Sequence, residues 1–303
     1  MQITIFTPAY NRAYILPVLY ASLLKQTDSN FEWVIVDDGS SDNTEELVHS
    51  WISEDKIPIS YKKQLNQGKH IAINTGVQMA KGELFFIVDS DDNLTADAVQ
   101  TIHSFWKKHS PGDNISGIIS YRQFPDGKLV GTSLPLSVHK CKLRDTGTKY
   151  GSTGDKVVIY RTDLLKRFPY PQFTGERFMG ESIVFNQIDD YYDMLVMNAR
   201  IYNFDYQKDG LSQDFRKLYR NNPNGFLLQF EQSLKYANNY KSKLKTTGHI
   251  ACLSWRLNKI GSYFVNGNLF LRIIAFFIGL MLYFKIFILK VSDVKPFVES
   301  ENK

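Results

Sequence analysis

Glu83-Leu84-Phe85-Phe86-Ile87-Val88-Asp89-Ser90-Asp91-Asp92 reads as a buried strand that ends abruptly in three carboxylates. In an open α/β sheet, ligands bind outside the carboxyl ends of the strands, so acids placed there face a crevice and not the core. Carboxylate oxygens suit a hard cation: Mg2+ or Mn2+ is held by one or two acids, with substrate phosphates supplying further ligands. The plainer reading is a polar turn that caps the helix beginning near Thr95, since Asp is common in turns and at N-caps.

The neighbouring sequence sets this strand in a repeating pattern. Ile3–Phe6, Phe31–Val36 and Ile57–Tyr61 read as three further strands, with helical stretches over Tyr14–Lys25, after Ser40-Ser41-Asp42, and over Lys69–Met79. Strands alternating with helices of this length predict an α/β fold with a mostly parallel central sheet, right-handed crossovers and helices on both faces. After Pro111 the regularity falls. Ile115–Tyr121 and Val157–Tyr160 read as strands, Pro125-Asp126-Gly127 as a turn with Lys128–Leu134 as its hairpin partner, and Val138–Asp155 as a loop. A helix is expected over Met179–Tyr191. Beyond Asn221-Asn222-Pro223 the pattern is helical and basic, which divides the chain into a domain at 1–220 and a helical region at 221–303.

Composition narrows the classes. A chain of 303 residues with 43% hydrophobic content can bury a large domain plus an appendage, and its net charge of +5 does not call for nucleic acid as a partner. Cys141 and Cys252 lie far apart without His or Cys at zinc spacing, so neither a disulfide framework nor a structural zinc is expected. The first residues read directly as a strand, which leaves no room for an export signal and points to a cytoplasmic setting.

Four polar clusters follow the first four strands: Thr7-Pro8-Ala9-Tyr10-Asn11-Arg12, Asp37-Asp38-Gly39-Ser40-Ser41, Asn66-Gln67-Gly68-Lys69-His70, and Asp89-Ser90-Asp91-Asp92. No G-x-G-x-x-G follows the first strand and no G-x-x-x-x-G-K-[ST] occurs, which disfavours a nicotinamide enzyme or a P-loop ATPase. In their order and spacing the four clusters resemble the motifs of the family 2 inverting glycosyltransferases of the GT-A fold. The resemblance implies a nucleotide-sugar donor, most often a UDP-sugar, and a glycan or lipid-linked acceptor. It also implies donor-binding roles for Thr7, Pro8, Tyr10, Arg12, Asp38, Asn66, Lys69, Asp89 and Ser90. Pro8, Tyr10 and Arg12 are expected at base and ribose, and Asp38 at the uracil ring nitrogen. Asp91, with Asp89, is expected at a Mn2+ or Mg2+ ion.

Displacement with inversion needs a carboxylate to take the acceptor proton. In relatives it lies at the start of a later helix after a segment like Glu-Arg-Phe, and Glu176-Arg177-Phe178-Met179-Gly180-Glu181-Ser182 matches with Ser182 in place of a second acid. Glu181 is therefore the candidate base, with Glu176 or Asp155 behind it. Tyr206–Ser212 resembles a segment that folds over the donor diphosphate, which makes Lys208 and Ser212 candidate phosphate contacts. The competing readings are a non-catalytic module that binds sugar nucleotides or glycans, and a sugar-nucleotide nucleotidyltransferase.

The far end carries an apolar stretch at about 269–289, interrupted by Arg272 and Lys285. It is marginal as a span of about 20 apolar residues and fits a helix lying at a membrane surface better, a helix docked on the protein or on a second subunit being the third reading. Lys290 and Lys295 would favour an anionic leaflet, placing the chain at the inner face of the cell membrane. The sequence leaves the sugar, the linkage and the oligomeric state open.

Overall fold

The computed structural model describes residues 2–109, 112–204, 215–265 and 268–288; Lys208, Ser212, Leu289, Lys290 and Lys295 lie outside them. In chain order the elements begin β1 (Ile3–Ala9), α1 (Leu16–Leu23), β2 (Phe31–Asp37), α2 (Thr44–Glu54), β3 (Ile59–Lys63), α3 (Lys69–Met79) and β4 (Leu84–Ile87). There follow β5 (Asn93–Leu94), α4 (Ala98–His109), β6 (Ile115–Gln123), β7 (Lys140–Cys141), α5 (Asp145–Thr148), β8 (Lys156–Arg161), α6 (Thr162–Arg167), α7 (Ser182–Asp189) and β9 (Asp193–Asn203). Helices α8 (Phe215–Asn221), α9 (Pro223–Tyr236), α10 (Tyr240–Arg256), α11 (Ile260–Val265) and α12 (Leu269–Tyr283) complete the chain, α12 running into a π-helical turn at Phe284–Ile288.

Among the described residues a nine-stranded sheet has the order β3-β2-β1-β4-β8-β6-β9-β5, with β7 beside β9. Strands β1 to β4 pair in parallel, and β6 and β9 point the same way; β5, β7 and β8 run against them. The parallel quartet therefore delivers four loops to one edge of the sheet. Strands β1, β2 and β4 read as near-continuous apolar runs because both faces are covered, whereas the edge strand β3 is half-exposed. On one face Ile3, Ile5, Trp33, Ile35, Leu84 and Phe86 share a core with Leu16 and Leu19 of α1, Trp51 of α2 and Ile102 of α4. On the other, Gly76 of α3 lies against the Phe6 ring.

The second half departs from the expected pattern: the stretch expected as a loop at 138–155 holds β7 and α5, and two larger differences concern strands. The turn at Pro125-Asp126-Gly127 forms, but Lys128–Leu134 contributes only a Gln123–Leu129 bridge and no strand. Strand β9, which the sequence reading left out, pairs with β6 through several register shifts. These bulges break the alternation by which a strand is recognised.

Packing divides the chain into two compact units, Met1–Tyr170 with Val184–Gln207, and Pro171–Ile183 with Lys208–Lys303. The second is built on a core of Tyr219, Phe226, Leu227, Ile250, Cys252, Leu253 and Tyr263. Within it the His249 ring stacks on Phe230 at 4.4 Å between centroids, and its Nδ1 lies 3.2 Å from the Tyr219 hydroxyl.

Burial, with the nearby charge of Lys245, holds the His249 pKa down to about 4. The folded unit keeps this imidazole neutral, whereas the unfolded chain protonates it near pH 6.5. Its stabilising contribution is thus complete above that pH and is lost as pH falls toward 4, at a limit of about 1.4 kcal/mol per pH unit. Thermal unfolding of wild type and His249→Gln at pH 7.5 and pH 5 checks this. The wild type should lose more Tm than the variant on acidification, and equal losses would show that His249 does not titrate as described.

Candidate active site

The first two loops of the sheet edge are tied to each other. Asn11 adopts a left-handed backbone (φ 54°), a conformation Asn tolerates better than most residues. Its N–H donates to Ser40 Oγ at 2.8 Å, and its Oδ1 accepts from the Ser41 N–H at 2.8 Å. The Arg12 N–H donates to Thr44 Oγ1 at 3.1 Å and the Ala13 N–H to Asp42 Oδ2 at 3.0 Å. The Asn-Arg and Gly-Ser-Ser-Asp motifs are thus one another's hydrogen-bond partners, each such bond contributing about 1 kcal/mol net.

Asp38 joins the third loop to the second. Its buried carboxylate accepts from Gln64 Nε2 at 2.8 Å and the Gln67 N–H at 2.9 Å on Oδ1, and from the Gly68 N–H at 2.7 Å on Oδ2. A carboxylate offers about four lone-pair sites, so these bonds leave one acceptor position, on Oδ2. Gly39 between the loops has φ +84°, and a Cβ there would lie 2.9 Å from the Asn66 backbone nitrogen, so only glycine fits. Asn66 is half-buried beside it.

Gly68 opens α3, and Lys69, the first residue of that helix, reaches across to the fourth loop. Its Nζ donates to Asp89 Oδ1 at 2.6 Å, with both side chains 29% exposed. Burial alone would push the Asp89 carboxyl up. The charge and hydrogen bond of Lys69, with Arg122 and Arg12 further away, outweigh it and hold Asp89 below the usual carboxylate range. Asp91 is shifted the other way, first by burial and then by the negative charge of Asp89, against the opposing pull of its own N–H, Arg12 and Lys69.

Asp92 is buried, and burial raises its pKa to about 7, with Asp89 and Asp91 adding to the shift and Tyr202 and Arg122 opposing it. The Tyr202 hydroxyl donates to Asp92 Oδ2 at 2.7 Å and accepts the Asp89 N–H at 3.1 Å, so it braces the loop at two points. Arg122 lies 3.6 Å from Asp92 and stacks over Tyr202 at 4.6 Å and Phe204 at 5.8 Å. Sequence reasoning missed Tyr202 and Arg122. An arginine at the end of a strand and a tyrosine in an apolar run were the available signals, but neither lies in a recognised motif.

Among the other predicted donor contacts, the Thr7 side chain is taken up by the core. It is fully buried and its Oγ1 accepts the Trp33 indole N–H at 3.0 Å, because strand alternation puts it on the same face as Ile3 and Ile5. Pro8 is half-buried, Tyr10 is exposed and Ser90 is buried. Arg12 is partly buried, donates to the Tyr14 hydroxyl at 3.0 Å, and acts electrostatically on both Asp89 and Asp91. The edge therefore brings together Arg12, Lys69, Asp89 and Asp91, with Asp38 shaping the loop below Lys69.

No group of three His, Cys, Asp or Glu that could hold a metal occurs among the described residues. The pair Asp89 and Asp91 nonetheless fits a Mg2+ or Mn2+ ion that takes its remaining ligands from a diphosphate. Burial and Asp89 already make a negative charge on Asp91 costly, and a cation would relieve that cost. A cavity of about 500 Å3 lined by Gly82, Glu83, Trp106, Arg161 and Asp163 lies at the start of β4, the end opposite the acids.

In the second unit, Glu176 is committed to structure. Its buried carboxylate accepts from the Asn224 N–H and side-chain amide and from the Gly225 N–H, each at 2.8 Å, which caps the start of α9. The Asn222 Oδ1 returns the connection by accepting the N–H groups of Arg177 at 2.7 Å and Phe178 at 2.9 Å. Glu-Arg-Phe is therefore an anchor. Glu181, half-buried, directly precedes α7, which begins at Ser182 and not near Met179 as expected. Asp155 is exposed.

The family model for Glycosyl transferase family 2 matches residues 4–166, more than half of the chain and all four loops. Among curated proteins, the chain is 35% identical over 101 residues to the glycosyltransferase GlyG of Streptococcus pneumoniae serotype 4, covering 33% of this chain and 34% of that protein. It is 31% identical over 120 residues to a PGL/p-HBAD biosynthesis glycosyltransferase of Mycobacterium bovis, covering 39% and 47%. The chain thus spans a third to a half of the length of these relatives. Among solved structures, S. aureus TarS 1–349 in complex with UDP-GlcNAc superposes with TM-score 0.59 at 19% identity, over 91% of this chain and 79% of that one. The mannosyltransferase PcManGT of Pyrobaculum calidifontis, in complex with GDP-Man and Mn2+, superposes with TM-score 0.54 at 16% identity, over 93% and 81%. The fold is that of the GT-A glycosyltransferases, and the chain belongs to glycosyl transferase family 2.

Proposed function

We propose that this protein is an inverting glycosyltransferase that moves a sugar from a nucleotide-sugar, in the first instance a UDP-sugar, to a hydroxyl of a cell-surface or lipid-linked glycan. The observation that carries the reading is the convergence of Lys69, Asp89, Asp91 and Arg12 on the carboxyl edge of the parallel strands, inside the region that matches the family. That edge is where this class of sheet receives its ligand. UDP-GlcNAc in TarS supports the donor class, and the bacterial glycosyltransferases among the relatives support the acceptor class.

In this reading residues 1–220 bind donor and carry out transfer. Asp38 offers its remaining Oδ2 acceptor to the N–H of the base, Pro8 and Tyr10 flank base and ribose, and Asn66 and Ser90 border the pocket. Arg12 and Lys69 supply positive charge beside the diphosphate, and Asp91 with Asp89 would hold the divalent ion. A bound Mg2+ or Mn2+ would stabilise the negative charge left on the departing nucleoside diphosphate. The Mn2+ in the mannosyltransferase complex supports this requirement. Glu181 takes the proton from the acceptor hydroxyl as its oxygen attacks the anomeric carbon; its place directly ahead of α7 supports the role, as does the commitment of Glu176 to the α9 cap.

Calorimetry of UDP binding with and without Mn2+ tests the donor site. Wild type should bind more tightly with the metal, and Asp91→Asn should lose that enhancement. Metal-independent binding, unchanged in the variant, would refute the assignment. For transfer, a screen of UDP-sugars for Mn2+-dependent hydrolysis identifies the donor.

Glu181→Gln should then lower turnover by about 100- to 10,000-fold with UDP affinity and Tm unchanged. Turnover near that of wild type would sink the base assignment. Glu176→Ala should act through folding, costing about 1–2 kcal/mol for the lost cap and its unpaired N–H groups, and chemical denaturation measures it.

A further inference from the structure

We propose that the second unit docks on an anionic lipid bilayer through one face of α12, lying along the surface without crossing it. This goes beyond the donor-site reading and does not depend on which sugar is transferred.

Phe270, Ile273, Phe277, Met281, Phe284 and Ile288 recur at intervals of three and four along α12 and its π-helical turn, and each is between 46% and 68% exposed. This spacing places them on one side of the helix as a continuous apolar stripe. Soluble proteins rarely leave so extended an apolar strip facing water. The opposite side packs on α10 through Ala275 and Gly279, the buried residues of α12. A Cβ at Gly279 would lie 2.6 Å from Ala251 Cβ, and one at Gly248 would lie 2.8 Å from Ile278, so α10 and α12 are in backbone-close contact. Trp255 extends the contact to Phe276 at 5.4 Å and Tyr283 at 6.0 Å.

Charge identifies the occupant. Residues 215–288 contain eleven Lys and Arg against a single acid, Glu231, a net charge of +10, whereas residues 1–204 sum to −3. The modest total of +5 hides this division. A basic helical body with an apolar stripe matches a surface that is negative outside and apolar beneath, as an anionic bilayer is. An apolar protein partner would account for the stripe and leave the charge unexplained.

The same packing argues against a span. The segment Leu269–Ile288 is long and apolar enough to cross a membrane. But α10, locked along its flank, presents exposed Lys241, Lys243, Lys245 and Arg256. Lowering α12 to the bilayer centre would take these charges with it, at a prohibitive cost. Arg272, whose guanidinium donates to the Tyr263 carbonyl and lies 5.0 Å over the Tyr263 ring, is likewise bound into the unit.

Flotation of the full chain with phosphatidylcholine vesicles, with and without about 30% phosphatidylglycerol, tests the proposal. Binding should be at least tenfold stronger to the anionic vesicles and should weaken in high salt. Phe277→Ser/Met281→Ser and Lys243→Glu/Lys245→Glu should each reduce it at least tenfold. Helical circular dichroism and a Tm equal to those of wild type show that both variants keep the second unit folded, and unchanged UDP affinity keeps this test separate from the donor site. Equal partition onto neutral and anionic vesicles would overturn the proposal. So would protein that resists an alkaline wash, the mark of a span, or a stripe variant that turns a dimer into a monomer while vesicle binding persists.

Discussion

Three carboxylates within four residues cannot share one partly buried loop unless each is given a different environment. The structure does this at the end of β4. Asp89 is neutralised by Lys69 and stays ionised, Asp92 is buried against Tyr202 with its pKa near 7, and Asp91 is left between them with its charge resisted by Asp89. Pushing the affinities of adjacent acids apart is how one short segment can serve several roles at neutral pH. A third full negative charge at Asp92 would compete with Asp91 for any cation, and its burial limits that competition.

This arrangement requires Lys69 to be in place, and Lys69 is positioned by a chain of contacts that starts two loops away. Asn11 and Ser40 fasten the first loop to the second, Asp38 fastens the second to the third, and Gly68 begins the helix whose first side chain is Lys69. The motif residues are therefore mainly a scaffold made of polar groups. Their hydrogen bonds are satisfied within the protein, so a ligand meets a preformed edge and need not order it, which lowers the entropy cost of binding. Asp38 shows the economy of this construction: three of its acceptor sites hold the loop and one remains available.

What the sequence made legible follows from this physics. Strands buried on both faces read as unbroken apolar runs, and Asp, Gly, Asn and Lys stand out where such a run ends, so β1 to β4 and their four loops could be placed from residues alone. The burial of the Thr7 side chain carried a clear signal, since a two-residue period puts it with Ile3 and Ile5 on the core face. Strand β9 was hidden by its bulges, and with it Tyr202, whose role depends on a contact with Asp92 across 110 positions of sequence. Glu176 was weighed as a runner-up base because sequence gives no sign that Asn224 and Gly225 will turn their N–H groups toward it.

The charge division had been countable throughout and was obscured by averaging. Summed over the chain it suggests a mildly basic protein; divided by compact unit it separates a mildly acidic sheet from a strongly basic helical body. The two parts answer to different chemistry. The sheet edge is locally balanced, with Lys69 and Arg12 set against Asp89 and Asp91, which suits the proposed pairing of a cation with a diphosphate. Placing the excess chiefly on α8 and α10 leaves the sheet edge balanced, while the helical unit carries a long-range attraction that a negatively charged surface can recognise.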